Sequence, residues 1–313
     1  MSRSAAHDER NTSFREAFRT PFEFASSAAP TAQLVQTETQ KLKLEHDVED
    51  IPNSNGARLH WIGDRSAEKV LLYFHGGGFC LPALNGHILF LNQTQQYLES
   101  KGKKIVIAFL EYNGSEGSRY PAQIFQGTEA LRFVLEKGWK PSNIVIGGDS
   151  AGANLAITTI SVVLHSFPGI PPLSLSGHLA GLLLISAWIG FSRDTQSWTE
   201  NADKDCIPAE CAIQLTDAYA DPADRNNYSE PGQADVSWWK GLPADRILNV
   251  YGGAEVLRDH IAELGDKLEK AGNRVENVEC PLEVHIDCIL DAMSGLDAGL
   301  MSTKVWEWLS SVL

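Results

Sequence analysis

Apolar residues in this chain follow two spacings. Near-continuous apolar runs at 70–74 (VLLYF), 105–110 (IVIAFL) and 181–186 (GLLLIS) suit strands covered on both faces. More mixed runs at 143–147, 247–251 and 274–280 continue the series. Residues 37–48 and 57–62 read as an opening pair of strands around the turn-rich Pro52-Asn53-Ser54-Asn55-Gly56. Between these runs, apolar residues recur at helical spacing over 92–101, 122–137, 151–166, 258–271 and 296–313. Gly102, Gly138 and Gly272 stand just past three of those segments, where a left-handed residue closes a helix. Phe14, Phe18, Phe22 and Phe24 predict one short amphipathic helix at the start, bounded by Pro21 and Pro30.

Strands alternating with helices imply an α/β fold: an eight-stranded, mostly parallel sheet flanked by helices. One stretch, 188–242, breaks the alternation. It is rich in Asp, Pro and Trp, and a loop of that length inside a domain is an insertion with a function of its own. With the N-terminal helix it predicts a mainly helical cap over the C-terminal edge of the sheet. The division is then 1–54, a cap segment and lead-in strand, and 55–313, the main domain with its cap insertion at about 188–242.

Composition narrows the function. The 313 residues carry 26 Lys+Arg against 40 Asp+Glu, a net charge of −14. That balance argues against nucleic acid or an anionic membrane as partner, since both require basic patches. It favours a neutral small molecule over an anionic one. Five cysteines without a CxxC pair read as reduced thiols, not as a disulfide framework or a zinc site. Cys206 and Cys211 are close enough in sequence to approach each other. No signal-like or membrane-spanning apolar run is visible, and a soluble, cytoplasmic protein is expected. A free edge strand near the C-terminal end leaves a homodimer open.

Two motifs carry chemistry. Gly148-Asp149-Ser150-Ala151-Gly152 follows the strand 143–147 and opens the helix 151–166, the context of a nucleophile elbow. The flanking glycines permit the sharp turn, and the helix start beneath favours negative charge. His75-Gly76-Gly77-Gly78 follows the strand 70–74 directly. Its glycines would let backbone N–H groups reach a substrate carbonyl, with Gly76, Gly77 and Ala151 as the expected oxyanion donors. His75 itself is expected to hold the loop and not to act as base.

A nucleophile elbow calls for an acid and a histidine later in the chain. Glu255 and Asp259 compete for the acid. Glu255 lies in the loop just past its strand, whereas Asp259 sits where a carboxylate caps a helix start. His260 falls inside a helix, so His285, on a loop past the last strand, is the expected base.

These residues resemble the hormone-sensitive-lipase family of α/β-hydrolases. The resemblance rests on HGGGF (75–79), Tyr112 with Tyr120-Pro121-Ala122, GDSAG (148–152), EVLRD (255–259) and His285, and covers about 55–313. It implies an α/β-hydrolase fold, a cap built from the N-terminus and an insertion after the sixth strand, and hydrolysis of carboxylic esters with short to medium acyl chains. Three departures stand out. The family's Asp-Pro-Leu-x-Asp reads Glu255-Val256-Leu257-Arg258-Asp259 here, and a Glu acid also occurs in fungal-like members. Its Leu-Ala-Pro-Glu is replaced by Asn113-Gly114-Ser115-Glu116, and Ile286 follows the histidine.

The expected activity is a serine carboxylesterase with the triad Ser150, Glu255 and His285, needing no metal or organic cofactor. An acetyl ester from specialised metabolism is the expected kind of substrate. Phe79, Cys80, Leu81, Trp188 and Ile189 are expected at the substrate, with Leu84, Asn85, His87, Ile88 and Phe191 close by and Trp198 in the cap. Two other readings use the same fold: an amidase or formamidase, and a ligand receptor without catalysis.

Overall fold

The computed structural model describes residues 4–114 and 119–313. Ser115 and Glu116, part of one departure from the family pattern, lie outside the described residues. Eight strands form one sheet: β1 (His46–Asp50), β2 (Arg58–Ile62), β3 (Lys69–Phe74), β4 (Ile105–Glu111), β5 (Ile144–Asp149), β6 (Gly181–Ile185), β7 (Ile247–Gly252) and β8 (Val275–Cys280). Their order is β1-β2-β4-β3-β5-β6-β7-β8, antiparallel at β1–β2 and β2–β4 and parallel from there on.

The continuous apolar runs have a direct cause. In β3, Val70, Leu72 and Phe74 pack into the core on one face, while Leu71 and Tyr73 pack into a second core on the other. Successive side chains point to opposite faces, so a strand buried on both cannot alternate with polar residues. The two cores are covered by helices α4 (Asn85–Ser100), α5 (Ala122–Glu136), α6 (Ala151–His165), α9 (Arg258–Lys270) and α11 (Leu300–Val312).

The N-terminal region departs from the expectation. Residues 37–48 are not one strand: α3 (Thr31–Leu42) occupies the first half of that stretch, and β1 starts only at His46. Val35 and Thr39, four apart, are buried, and the Thr39 hydroxyl donates to the Val35 carbonyl, a helical pattern hidden by threonines that read as strand formers. The single Phe-rich helix is two, α1 (Ala5–Ala17) and α2 (Pro21–Ser27). Pro21 starts the second in place of ending the first, because proline fits a first helical turn. α4 begins at Asn85, well ahead of the expected 92, and α10 (Asp287–Ser294) was not foreseen. Between β6 and β7 lie α7 (Gln196–Glu200) and α8 (Ala209–Tyr219), and α8 packs against α2. Among the described residues, no helix is long and apolar enough to cross a membrane. All five cysteines are buried thiols.

One ion network docks α1 on the main body. Arg10, buried, reaches Asp287 at 2.6 Å and also pairs with Asp291, both on α10. Burial, followed by the neighbouring Asp287, pushes the Asp291 carboxyl up to about 7. His7 adds a third potential ligand beside these acids, but the Arg10 guanidinium already pairs with both carboxylates and takes the place a cation would need. Arg10→Ala should leave two buried carboxylates without their positive partner and cost about 3 kcal/mol or more of stability in equilibrium urea unfolding. The loss should shrink below pH 7, as Asp291 takes up a proton.

Candidate active site

The pairing of β3 with β5 sets Phe74 beside Gly148, so the loops leaving both strands emerge together at the C-terminal edge of the sheet. Ser150 joins β5 to α6 with φ +51 and ψ −119, a conformation that serine adopts only when its surroundings enforce it. They do. A Cβ at Gly148 would lie 2.3 Å from the Phe74 carbonyl oxygen, and one at Gly152 would lie 1.9 Å from it. Glycines at both places let α6 start against β3, and the turn lifts Ser150 off the strand end.

His285 Nε2 lies 2.9 Å from Ser150 Oγ, and His285 Nδ1 lies 2.8 Å from Glu255 Oε2. Facing a carboxylate, Nδ1 carries the proton, which leaves Nε2 to accept from the serine hydroxyl. The other Glu255 oxygen accepts from the Gly252 N–H at 2.7 Å and from Ser186 Oγ at 3.1 Å. Burial pushes the His285 imidazole down. The hydrogen bond and charge of Glu255 more than reverse this, so its pKa ends above the ordinary 6.5.

Asp259, the competing acid, is elsewhere. Its carboxylate accepts from the Ser197 N–H at 2.8 Å and pairs with Arg258 at 2.9 Å. It caps the start of α7, not of its own helix α9. His260 lies inside α9, its ring packed against Gly190.

The glycine loop corrects one expectation. The Gly76 N–H donates to Asp149 Oδ1 at 3.1 Å, so it is committed to the scaffold and is not an oxyanion donor. No hydrogen bond among the described residues takes up the N–H groups of Gly77, Gly78 and Ala151. Gly76, Gly77 and Gly78 all line the cavity that holds Ser150 and His285, but only the last two have a free N–H to offer it. The available donors are thus displaced by one residue along the loop. Asp149, which the motif leaves unspecified, is the anchor: fully buried, it also accepts from Tyr73 Oη at 2.8 Å and from His87 Nε2 at 3.2 Å. Burial would raise its pKa, but His87 and Tyr73 hold it below the usual range. His75 is neutral, pushed down to about 4 by burial, with Nδ1 2.6 Å from the Gly76 carbonyl and its ring stacked on Tyr112.

Two small cavities flank Ser150. One, of about 50 Å³, is bordered by His285 and by Phe18, Leu81, Ile207, Cys211 and Leu215. The other, of about 30 Å³, is bordered by Trp188, Ala212, Leu215 and Leu257. Of the expected substrate residues, Leu81 and Trp188 border these spaces, and Leu84 and His87 border the first. Phe79, Cys80 and Ile189 do not. Phe79 is fully buried with its ring 4.1 Å from that of Tyr219, and Ile189 lies in the same core. Cys80 borders a different hollow, beside His75 and Glu111. A loop that bends to bring its backbone to the substrate turns alternate side chains away. Phe18 and Leu215 were missed because neither lies near a motif: Phe18 follows the end of α1 and Leu215 lies on α8.

This arrangement defines a serine hydrolase on an α/β-hydrolase sheet. Residues 71–288 match the family model described as alpha/beta hydrolase fold, and the chain belongs to that family. It is 31% identical over 249 residues to carboxylesterase NlhH of Mycobacterium tuberculosis, covering 75% of this chain and 70% of that one. It is 27% identical over 240 residues to an acetyl-hydrolase of Streptomyces hygroscopicus, covering 76% and 74%. A solved esterase from the bacterial hormone-sensitive lipase family superposes with a TM-score of 0.73 at 22% identity, over 99% of both chains. The protein is a carboxylic ester hydrolase of the serine type.

The raised imidazole has a measurable consequence. Covalent labelling of Ser150 by a fluorophosphonate should slow as pH falls through a midpoint above 6.5, where His285 takes up a proton. Glu255→Gln removes the charge that holds the proton, so the midpoint should move to lower pH. A midpoint unmoved in that variant would contradict the pairing.

Proposed function

We propose that the protein cleaves small, largely neutral esters with a short acyl group, by acyl transfer through Ser150. His285 takes the hydroxyl proton as Oγ attacks the carbonyl, and Glu255 holds the tautomer and stabilises the imidazolium. The tetrahedral oxyanion is received by the N–H groups of Gly77, Gly78 and Ala151, each donor worth about 10²–10³ in rate. His285 then protonates the leaving alcohol, and water releases the acyl group.

The observation that carries the substrate reading is the unequal size of the two cavities. The leaving alcohol needs the proton on His285, so it belongs in the space that His285 borders. The acyl group is left with the smaller space, about 30 Å³ between Trp188, Leu215 and Leu257. A cavity needs roughly 10–15 Å³ to hold even one water, so this space is narrow and suits a short acyl group such as acetyl. Its walls are apolar, which disfavours a charged acyl chain. The acetyl-hydrolase relative is in keeping with this reading. An acetyl ester of a specialised metabolite is the substrate type we favour.

The test is a series of p-nitrophenyl esters against matching anilides. Turnover should peak at acetate or propionate, fall for longer acyl chains and be far lower for the anilides. Ser150→Ala and His285→Ala should each abolish acetate hydrolysis with the fold retained, and activity surviving in either would refute the mechanism. Leu215→Ala should move the optimum to longer acyl chains, because Leu215 borders both cavities.

A further inference from the structure

The geometry points to Asp205 as a positioning residue: the cap loop 201–206 clips the loops that carry Glu255 and His285 into register, and Asp205 is the centre of that clip. This rests on the reading of Ser150, His285 and Glu255 as nucleophile, base and acid.

Asp205 lies between α7 and α8 and is fully buried. Its Oδ2 accepts from the Val256 N–H at 2.8 Å, the residue after Glu255. Its Oδ1 accepts from the His285 N–H at 3.0 Å and from the Cys206 N–H at 2.7 Å. A single carboxylate therefore grips the backbone beside the acid and at the base. Two neighbours complete the hold. Asn201 Nδ2 donates to the carbonyls of Gly253 (3.1 Å) and Glu255 (2.9 Å). Cys206 Sγ donates to the His285 carbonyl at 3.7 Å, so consecutive cap residues hold both backbone groups of the histidine.

At the end of β6, Ser186 Oγ donates to Glu255 and accepts from the Ile286 N–H, but the sheet's own backbone ladder does not reach His285. The β7–β8 ladder ends at Gly252 and Cys280. The backbone bonds beyond it run from Gly253 to Cys280 and from Ala254 to Glu283, and stop short of His285. From outside, Arg15 of α1 donates to the carbonyls of Asp203 and Asp205, both at 2.7 Å. The N-terminal helix, the insertion and the two loops are thereby one connected unit.

Charge adds to geometry. The acidic groups that face His285 are Glu255 from the β7 loop, Asp205 from the loop between α7 and α8, and Asp149 from the end of β5. All three favour the imidazolium, and Asp205 is the member outside the Ser-His-acid chain that comes from the cap. Burial raises the Asp205 pKa, and the three N–H donors with His285 oppose this. A carboxylate gripping N–H groups cannot be replaced by an amide without turning one acceptor into a donor aimed at a donor.

The experiment compares Asp205→Asn with Asp203→Asn, an exposed carboxylate two residues away, on p-nitrophenyl acetate across pH. Asp205→Asn should lower kcat on the order of 100-fold, as expected for an ångström-scale misplacement of a reacting group, with KM little changed. The acid limb of its pH profile should move to lower pH, because the imidazolium has lost a stabilising charge. Asp203→Asn should match the parent in both. Should Asp205→Asn fail to fold, Asn201→Ala keeps the carboxylate and should lower kcat with the acid limb unmoved. Parental kcat in whichever variant is soluble, an effect on KM alone, or a slow Asp205→Asn with an unmoved acid limb would overturn the proposal. Ser150→Ala run in parallel separates the two levels: if it is inactive while Asp205→Asn matches the parent, the clip is wrong and the mechanism stands.

Discussion

The close approach of α6 to β3 is the constraint on which the site depends. α6 starts so near β3 that a Cβ at Gly152 would lie 1.9 Å from the Phe74 carbonyl oxygen, which leaves no room for a side chain there. It obliges Ser150 to adopt a positive φ, and the same contact brings the loop after β3 within reach of the loop after β5. The nucleophile, the N–H donors beside it and the carboxylate that anchors them are thus set by one steric condition. Hydrophobic burial on both faces of the central strands supplies the stability that a strained turn requires.

The site concentrates negative charge in a dry interior. Asp149, Asp205 and Glu255 are all fully buried, and each accepts at least one backbone N–H. Burial of three carboxylates costs far more than it returns unless each is matched by donors. Here the donors are mostly backbone groups at the ends of strands and in loops, which would otherwise be unsatisfied themselves. Each carboxylate and its loop stabilise one another, and the imidazole between them inherits a raised proton affinity.

The sequence exposed the centre of this molecule better than its periphery. β3, β4 and β6 were legible because strands buried on two faces are continuously apolar. Ser150, Glu255 and His285 were legible because each follows a strand in the order the fold requires. The Gly76 assignment failed because a motif specifies which residues form a loop, not which N–H group points where, and Asp149 takes that one. Phe79 and Ile189 failed for a related reason: position beside a motif does not give side-chain direction. Residues 37–48 misled through their threonines, Phe18 was legible only as an apolar position of an N-terminal helix, and Leu215, Asn201 and Asp205 carried no local signal. Their importance comes from contacts between segments more than 50 residues apart, which a pattern read along one chain does not contain.

The five thiols give the molecule a property unrelated to catalysis. Each is buried, and burial holds Cys206, Cys211, Cys280 and Cys288 well above an ordinary thiol in pKa. A protonated, enclosed sulfur reacts with neither alkylating agents nor mild oxidants. Cys206 and Cys211 sit in the cap region, Cys80 in the glycine loop, and Cys280 and Cys288 on either side of the base. Alkylation followed by peptide mapping would therefore register which of these parts opens first under stress, making the native cysteines an internal clock for local unfolding.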